Sequence, residues 1–177
     1  GLMANIGTYA QLQAEIADWL DRTDLTSEIP TFIELAEASF NRTIRSPDMI
    51  LKDDSYSISG QYNTLPSDCL EIVRIVVDVQ PVIVLEYLTP GDLSELRATM
   101  TGTGKPYYFT LVGGSSNQLE VLRSPDQTYT SSIIYYTRIA ALTDSATSNW
   151  LLTANPDIYL FGALVEAEPY LKNDERM

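Results

Sequence analysis

The spacing of apolar residues changes twice along this chain, and this change limits the possible folds more than any other feature. Over residues 9–45, apolar side chains recur every three or four positions, as on one face of an α-helix. Over residues 56–138, short runs rich in β-branched residues alternate with turn residues, which is typical of strands. Helical spacing returns after residue 149. We therefore predict an α+β protein with a β-rich lobe inserted between helices.

Three parts follow from this pattern. We predict an N-terminal helical hairpin over residues 1–50, a β-rich insertion lobe over residues 51–148, and a C-terminal helix over residues 149–177 that packs on the N-terminal helices. The apolar stripe of the first helix comprises Tyr9, Leu12, Ile16, Trp19 and Leu20. In the last helix it includes Ile158, Tyr159, Phe161, Ala163, Leu164 and Ala167.

Local signals mark the helix ends. Thr8 followed by Gln11 fits a capping box. Glu34 and Glu37 are early in the second helix, where the helix dipole favours anions. Asn155 before a proline predicts the N-cap of the last helix. Pro169 is expected to kink or end that helix.

The middle of the chain predicts about six strands with turns at the spacing of a sandwich. A Gly60-Gln61 turn between two alternating runs indicates a hairpin. Two tyrosine pairs, at residues 107–108 and 135–136, each place one ring on either face of a strand. One ring of each pair then packs in the core, and the other is available to a partner.

Charge excludes two classes of partner. The chain has 24 acidic and 11 basic residues, a formal net charge of -13. Binding to a phosphate backbone or to an anionic membrane needs clustered Lys and Arg, so neither is expected. No apolar run approaches the 18 residues of a membrane-spanning helix.

Residue types argue against catalysis. The chain has no histidine and a single cysteine, Cys69, which therefore lacks the usual activating base. The carboxylate pairs Asp53/Asp54 and Glu166/Glu168 are read as solvated surface. Gly102–Lys105 lacks the full spacing of a phosphate-binding loop and is read as a turn. We predict a non-enzymatic protein with no catalytic, cofactor or metal site.

Six stretches resemble one protein family and occur in its order. They are residues 19–25 (WLDRTDL), 29–37 (IPTFIELAE), 41–45 (NRTIR), 65–68 (LPSD), 149–152 (NWLL) and 156–164 (PDIYLFGAL). Together they resemble the head-to-tail adaptor (connector) proteins of tailed bacteriophages, and they cover nearly the whole chain.

The resemblance implies a structural protein of the virion neck, assembled in the host cytoplasm. Such adaptors form a ring, usually of twelve copies, between the portal protein and the tail nozzle or tube proteins. DNA passes through the ring lumen without specific binding. In such adaptors the C-terminal segment often reaches up to embrace the portal.

Seven residues are candidate contacts with the portal or a neighbouring subunit. They are Arg22, Asp24, Arg42, Arg45, Tyr108, Tyr136 and Trp150. The alternative for the two tyrosines and for Trp150 is ordinary packing inside the fold. Trp150 would then fill the core between lobes.

Three other functions stay open at this point. A tail-tube or tail-completion subunit would bind tail proteins instead of the portal. A small-molecule or carbohydrate-binding module would use the tyrosine-rich lobe. An acid-dependent hydrolase would use the paired carboxylates.

Overall fold

The computed structural model describes residues 5–114 and 116–172, which form helices and strands in the predicted order. The α-helices are α1 (Tyr9–Leu20), α2 (Ile29–Thr43), α3 (Pro90–Thr99), α4 (Trp150–Ala154) and α5 (Pro156–Lys172). The strands are β1 (Ile50–Ile58), β2 (Tyr62–Thr64), β3 (Cys69–Val77), β4 (Ile83–Val84), β5 (Glu86–Tyr87), β6 (Thr103–Gly104), β7 (Tyr108–Val112), β8 (Gln118–Leu122), β9 (Ser124–Pro125) and β10 (Tyr129–Thr137). The predicted α+β class is confirmed.

The chain divides into two compact units. The helical unit contains the residues up to Asp48 and those from Ile139 onward, and the β unit is Met49–Arg138. Residues 139–148, which the sequence pattern grouped with the strands, belong to the helical unit.

In the helical unit, α5 packs against both α1 and α2. Its contact with α2 includes two edge-to-face ring pairs, Phe40–Tyr159 at 5.2 Å and Phe32–Tyr170 at 5.0 Å between centroids. Gly162 allows the two helices to approach, because a Cβ there would lie 2.7 Å from Cζ of Phe40. The buried ring of Tyr159 fills the centre of this contact.

The helix ends agree with the sequence in part. The Gln11 backbone N–H donates to Oγ1 of Thr8 at 3.2 Å, so the predicted N-cap of α1 is confirmed. Asn155 is the C-cap of the short helix α4 and directly precedes Pro156, the first residue of α5. Pro169 does not end α5, which continues to Lys172.

The β unit contains two four-stranded sheets. Sheet A has the strand order β1-β10-β3-β4, and sheet B has the order β2-β8-β7-β5. One core cluster draws its buried side chains from both sheets, among them Ile58, Ile75, Leu119, Val121 and Ile133. The two sheets therefore enclose a single apolar core, as in a sandwich.

The predicted hairpin around Gly60 is wrong. Its two arms belong to different sheets, since β1 pairs with β10 and β2 pairs with β8. Alternating patterns identify strands but not their partners, and here the partner of β1 comes about 75 residues later in the chain.

Helix α3 is fixed to sheet B by one arginine. Arg97 donates to the backbone oxygen of Val121 at 2.7 Å and to Oε1 of Glu120 at 3.3 Å. Its other terminal nitrogen donates to Oγ of Ser124 at 3.1 Å. A half-buried arginine with three acceptors anchors the helix better than a surface ion pair would.

Candidate functional site

Arg22 and Asp24 form a local pair in the turn between α1 and α2. Arg22 Nε donates to Oδ1 of Asp24 at 2.9 Å, and its Nη2 contacts Oδ2, so the pair is bidentate. The hydrogen bond from Arg22 lowers the pKa of the Asp24 carboxyl. Asp21 enters this turn in the left-handed conformation, with φ of 51°. The pair stabilises the shape of an exposed turn.

The other predicted arginines lie at the opposite end of α2. Arg45 Nη1 donates to the backbone oxygens of Asn41 (2.9 Å) and Ile44 (2.8 Å), two acceptors at the helix end. Arg42 is exposed in the last turn, where a cation complements the helix dipole. The turn pair and these arginines thus lie near opposite ends of α2, whose 15 residues span about 22 Å along the axis.

The three aromatic candidates expose less of their side chains than a residue that anchors a binding partner would. Tyr108, Tyr136 and Trp150 are all half-buried, whereas Tyr135 is buried in the core. In the first pair neither ring is buried, since Phe109 takes the core position and Tyr107 is exposed.

The most exposed aromatic pair of the helical unit lies on the apolar stripes that helical spacing predicts. Trp19 is 53% exposed and Phe161 is 47% exposed, and their rings meet edge to face at 5.6 Å. Trp19 Nε1 donates to Oε1 of Glu15. Spacing identifies the apolar stripe of a helix, but the packing of α1 on α5 decides how much of that stripe is buried.

A buried carboxylate organises the helical unit, and the sequence reading missed it. Glu37 is 7% exposed, and its Oε2 accepts hydrogen bonds from the Leu142 backbone N–H (2.9 Å) and the Tyr159 hydroxyl (2.8 Å). The Tyr159 oxygen accepts in turn from Nδ2 of Asn149 at 2.8 Å. Its position on the apolar face of α2, between Ala36 and Phe40, was the available signal.

Further hydrogen bonds connect residues 139–149 to the helices. The Ile139 backbone N–H donates to Oδ1 of Asn41 at 2.8 Å, and Asn149 donates to the Ala140 oxygen at 2.7 Å. The Asn149 side chain also caps α4 by accepting from the Leu152 backbone N–H at 2.8 Å. We call Glu37, Asn41, Asn149 and Tyr159 the polar bolt. All four belong to stretches that resemble the adaptor family.

The polar bolt predicts a pH effect. Burial raises the pKa of the Glu37 carboxyl above its ordinary value of 4.5, although the hydrogen bonds from Leu142 and Tyr159 oppose this. A pKa that is higher in the folded state adds stability below pH 4.5, and this stability is lost as the pH rises through the raised pKa.

Glu37→Gln removes this titration. We therefore expect the stability of the wild type, relative to Glu37→Gln, to decline as the pH rises above 4.5 and through the raised pKa. Urea denaturation of both proteins across this range measures the difference in the free energy of unfolding. Parallel pH curves would contradict the assignment of a raised pKa to Glu37.

A groove in the β unit lies beside segments of β3 and β7 at which, among the described residues, pairing with the neighbouring short strand stops. Its main cavity, of about 410 Å³, is lined by residues 70–74 of β3 together with Val84, Leu85, Tyr87, Phe109 and Leu111. A second cavity of about 180 Å³ shares residues 70–72 and Leu111 with the first. Apart from Glu71 and Arg74, the main cavity is lined by apolar residues.

This groove has open backbone edges. Among the described residues, β4 pairs with β3 only at Val76 and Val77, which leaves that side of residues 70–74 without a strand. Likewise β5 pairs with β7 only at Tyr108 and Phe109. An unpaired edge exposes backbone N–H and C=O groups that can bind an added strand.

The described residues offer little for catalysis. Burial raises the pKa of the Cys69 thiol to about 11, so it stays protonated near neutral pH. Asp54 is exposed, and the hydrogen bond from Ser132 lowers the pKa of its carboxyl. Within residues 5–114 and 116–172, no three His, Cys, Asp or Glu side chains are grouped as a metal site requires.

No helix in the described part of the chain is long and apolar enough to cross a membrane.

Comparison with known proteins identifies the family. The family model described as SU10 adaptor protein matches residues 7–177. The chain belongs to the SU10 adaptor protein family. It is thereby placed among the head-to-tail adaptors of bacteriophages, which are structural proteins. No curated protein matches the chain.

The adaptor motifs can now be assigned to parts of the fold. Glu37, Asn41, Asn149 and Tyr159 form the polar bolt, and Gly162 provides the close approach of α2 and α5. Asp68 of the LPSD stretch accepts from the Tyr135 hydroxyl at 3.1 Å. These side chains act within the protein.

Proposed function

We propose that this adaptor forms a ring between the portal and the tail, around the channel through which DNA passes. The observation that carries the proposal is the family match over residues 7–177. The ring holds twelve copies if it follows the usual symmetry of the portal. The protein then acts in the virion neck by holding its neighbours, without catalysis.

The charge of the chain supports a channel role. With 24 acidic and 11 basic residues, the adaptor repels the phosphate backbone. A repulsive lumen lets DNA move through the ring without being retained. We expect no binding of duplex DNA at physiological salt, as measured by a mobility-shift titration.

The seven residues chosen from the sequence are proposed as contacts of different kinds. Arg22 and Asp24 present a charged turn held by their hydrogen bonds, and Arg42 and Arg45 are exposed at the C-terminal end of α2. Charged rims of this type fix register and orientation more than affinity. Tyr108, Tyr136 and Trp150 are half-buried, so each offers only part of its side chain to a neighbour.

Mixing the adaptor with the portal ring of the same phage tests the proposal. We expect sedimentation to give a larger complex and negative-stain images to show a new collar with the portal's symmetry. A folded adaptor that leaves the portal unchanged but binds isolated tail proteins would contradict the proposal and favour a tail subunit. An adaptor that is monomeric by itself is compatible with assembly on the portal.

A further inference from the structure

We propose that β1 of one copy adds to the open edge of β3 in the next copy, so that sheet A continues from subunit to subunit. This inference rests on the proposed ring. It assigns the groove beside residues 70–74 to a second copy of this chain.

Sheet A ends in an open edge at β1. This strand has nine residues and pairs with β10 on one side, and no described strand pairs with its other side. Ile50 and Leu51 are 42% and 44% exposed at its start. The chain thus offers two different open edges, β1 and β3, as a heterologous ring contact requires.

Strand direction agrees with ring symmetry. β1 is antiparallel to β10, and β10 is antiparallel to β3, so β1 and β3 run in the same direction. Neighbouring copies in a twelve-membered ring are related by a rotation of only about 30°. The neighbour's β1 would therefore meet β3 in a nearly parallel orientation.

Charge spacing favours the same arrangement. A register shift in β3 places Glu71 and Arg74 opposite Tyr136 and Ile134, which are two residues apart on β10. Glu71 and Arg74 consequently share one face at the spacing of a residue and its second neighbour, about 7 Å. Their signs, in chain order, are negative and then positive.

The facing charges on β1 have the same spacing and the opposite order. Lys52 and Asp54 are exposed and lie on one face of β1, since Lys52 Nζ is 3.4 Å from Oδ1 of Asp54. In a parallel pair, Lys52 meets Glu71 and Asp54 meets Arg74. An antiparallel pair would instead set like charges together, which destabilises cross-strand neighbours.

The register that brings Lys52 to Glu71 also brings an apolar side chain to the groove. Leu51 precedes Lys52 and lies on the same face of sheet A as Tyr135, its partner on β10. In the added strand, Leu51 would lie next to Leu70, which lines both cavities. Strand addition would thus combine backbone hydrogen bonds with burial of an exposed leucine.

Disulfide trapping on the portal tests the contact. In a Cys69→Ser background, we expect Lys52→Cys with Glu71→Cys to form disulfides between copies, giving a ladder of multimers on a denaturing gel. Asp54→Cys with Glu71→Cys is the matched control, because the parallel register leaves that pair on a diagonal. Each single-cysteine variant should give no ladder.

Charge reversal gives a second readout that does not depend on cysteine. We expect Lys52→Glu or Glu71→Lys alone to lower the number of adaptor copies bound per portal by about tenfold, because like charges then face each other. The double variant Lys52→Glu with Glu71→Lys should restore binding. A merely misfolded single variant would not be rescued in this way.

The outcomes separate the two proposals. A wild-type collar without a ladder in the Lys52/Glu71 pair overturns the β1–β3 contact and leaves the ring intact. Cross-linking that favours the Asp54/Glu71 pair, or that joins residue 71 to the portal, also overturns it. Absence of any wild-type collar overturns the ring itself, and this inference with it.

Discussion

Glu37→Ala is expected to lower the free energy of unfolding by about 3 kcal/mol. The substitution leaves the Leu142 backbone N–H and the Tyr159 hydroxyl without their acceptor in a buried site. A buried donor that loses its partner keeps the full cost of its desolvation, which exceeds the net gain of an ordinary hydrogen bond. Thermal and urea denaturation measure the loss.

Glu34→Ala is the matched control for this experiment. Glu34 lies one turn earlier on α2 and is exposed, so its loss should change stability by less than about 0.5 kcal/mol. Hydrogen exchange adds a local readout, because the Leu142 amide should exchange faster only in Glu37→Ala. Equal stability of the two variants would contradict the role of the polar bolt.

Gly162→Ala is expected to destabilise the helical unit by about 2 kcal/mol, although alanine favours a helix. The added Cβ would lie 2.7 Å and 2.9 Å from two ring carbons of Phe40. That ring cannot move freely, since it is buried and packs edge to face on Tyr159. The melting temperature should therefore fall, where helix propensity alone predicts a rise.

Two further variants make this prediction specific. Gly7→Ala, in the same unit, places its Cβ at an ordinary 3.6 Å from Gln11 and should leave the melting temperature nearly unchanged. Phe40→Leu with Gly162→Ala should be more stable than the sum of the two single effects, because the smaller side chain makes room. Strict additivity of the two substitutions would show that Phe40 and Gly162 do not meet.

Glu37, Asn149, Tyr159 and Gly162 are signature positions, and the structure uses them for internal contacts. Arg22, on the exposed turn, is also a signature position but is proposed as a partner contact, whereas the open edges of sheet A lie outside the signature stretches.

The sequence by itself determined the features that depend on neighbours in the chain. Helical spacing and the Thr8 cap predicted α1, because a helix is stabilised by contacts three and four residues apart. The change of period predicted the β-rich middle for the same reason. The bidentate pair of Arg22 and Asp24 lies within one turn, so both could be chosen as candidates before their geometry was known.

Tertiary structure alone decided the features that join distant segments. β1 finds its partner in β10 instead of β2, and Glu37 meets Leu142 and Tyr159 across more than 100 residues. Burial of Glu37 and exposure of Trp19 both follow from how α5 covers the other helices. Local sequence patterns do not predict such pairings, since hydrogen bonds and packing between distant segments form only when the whole core assembles.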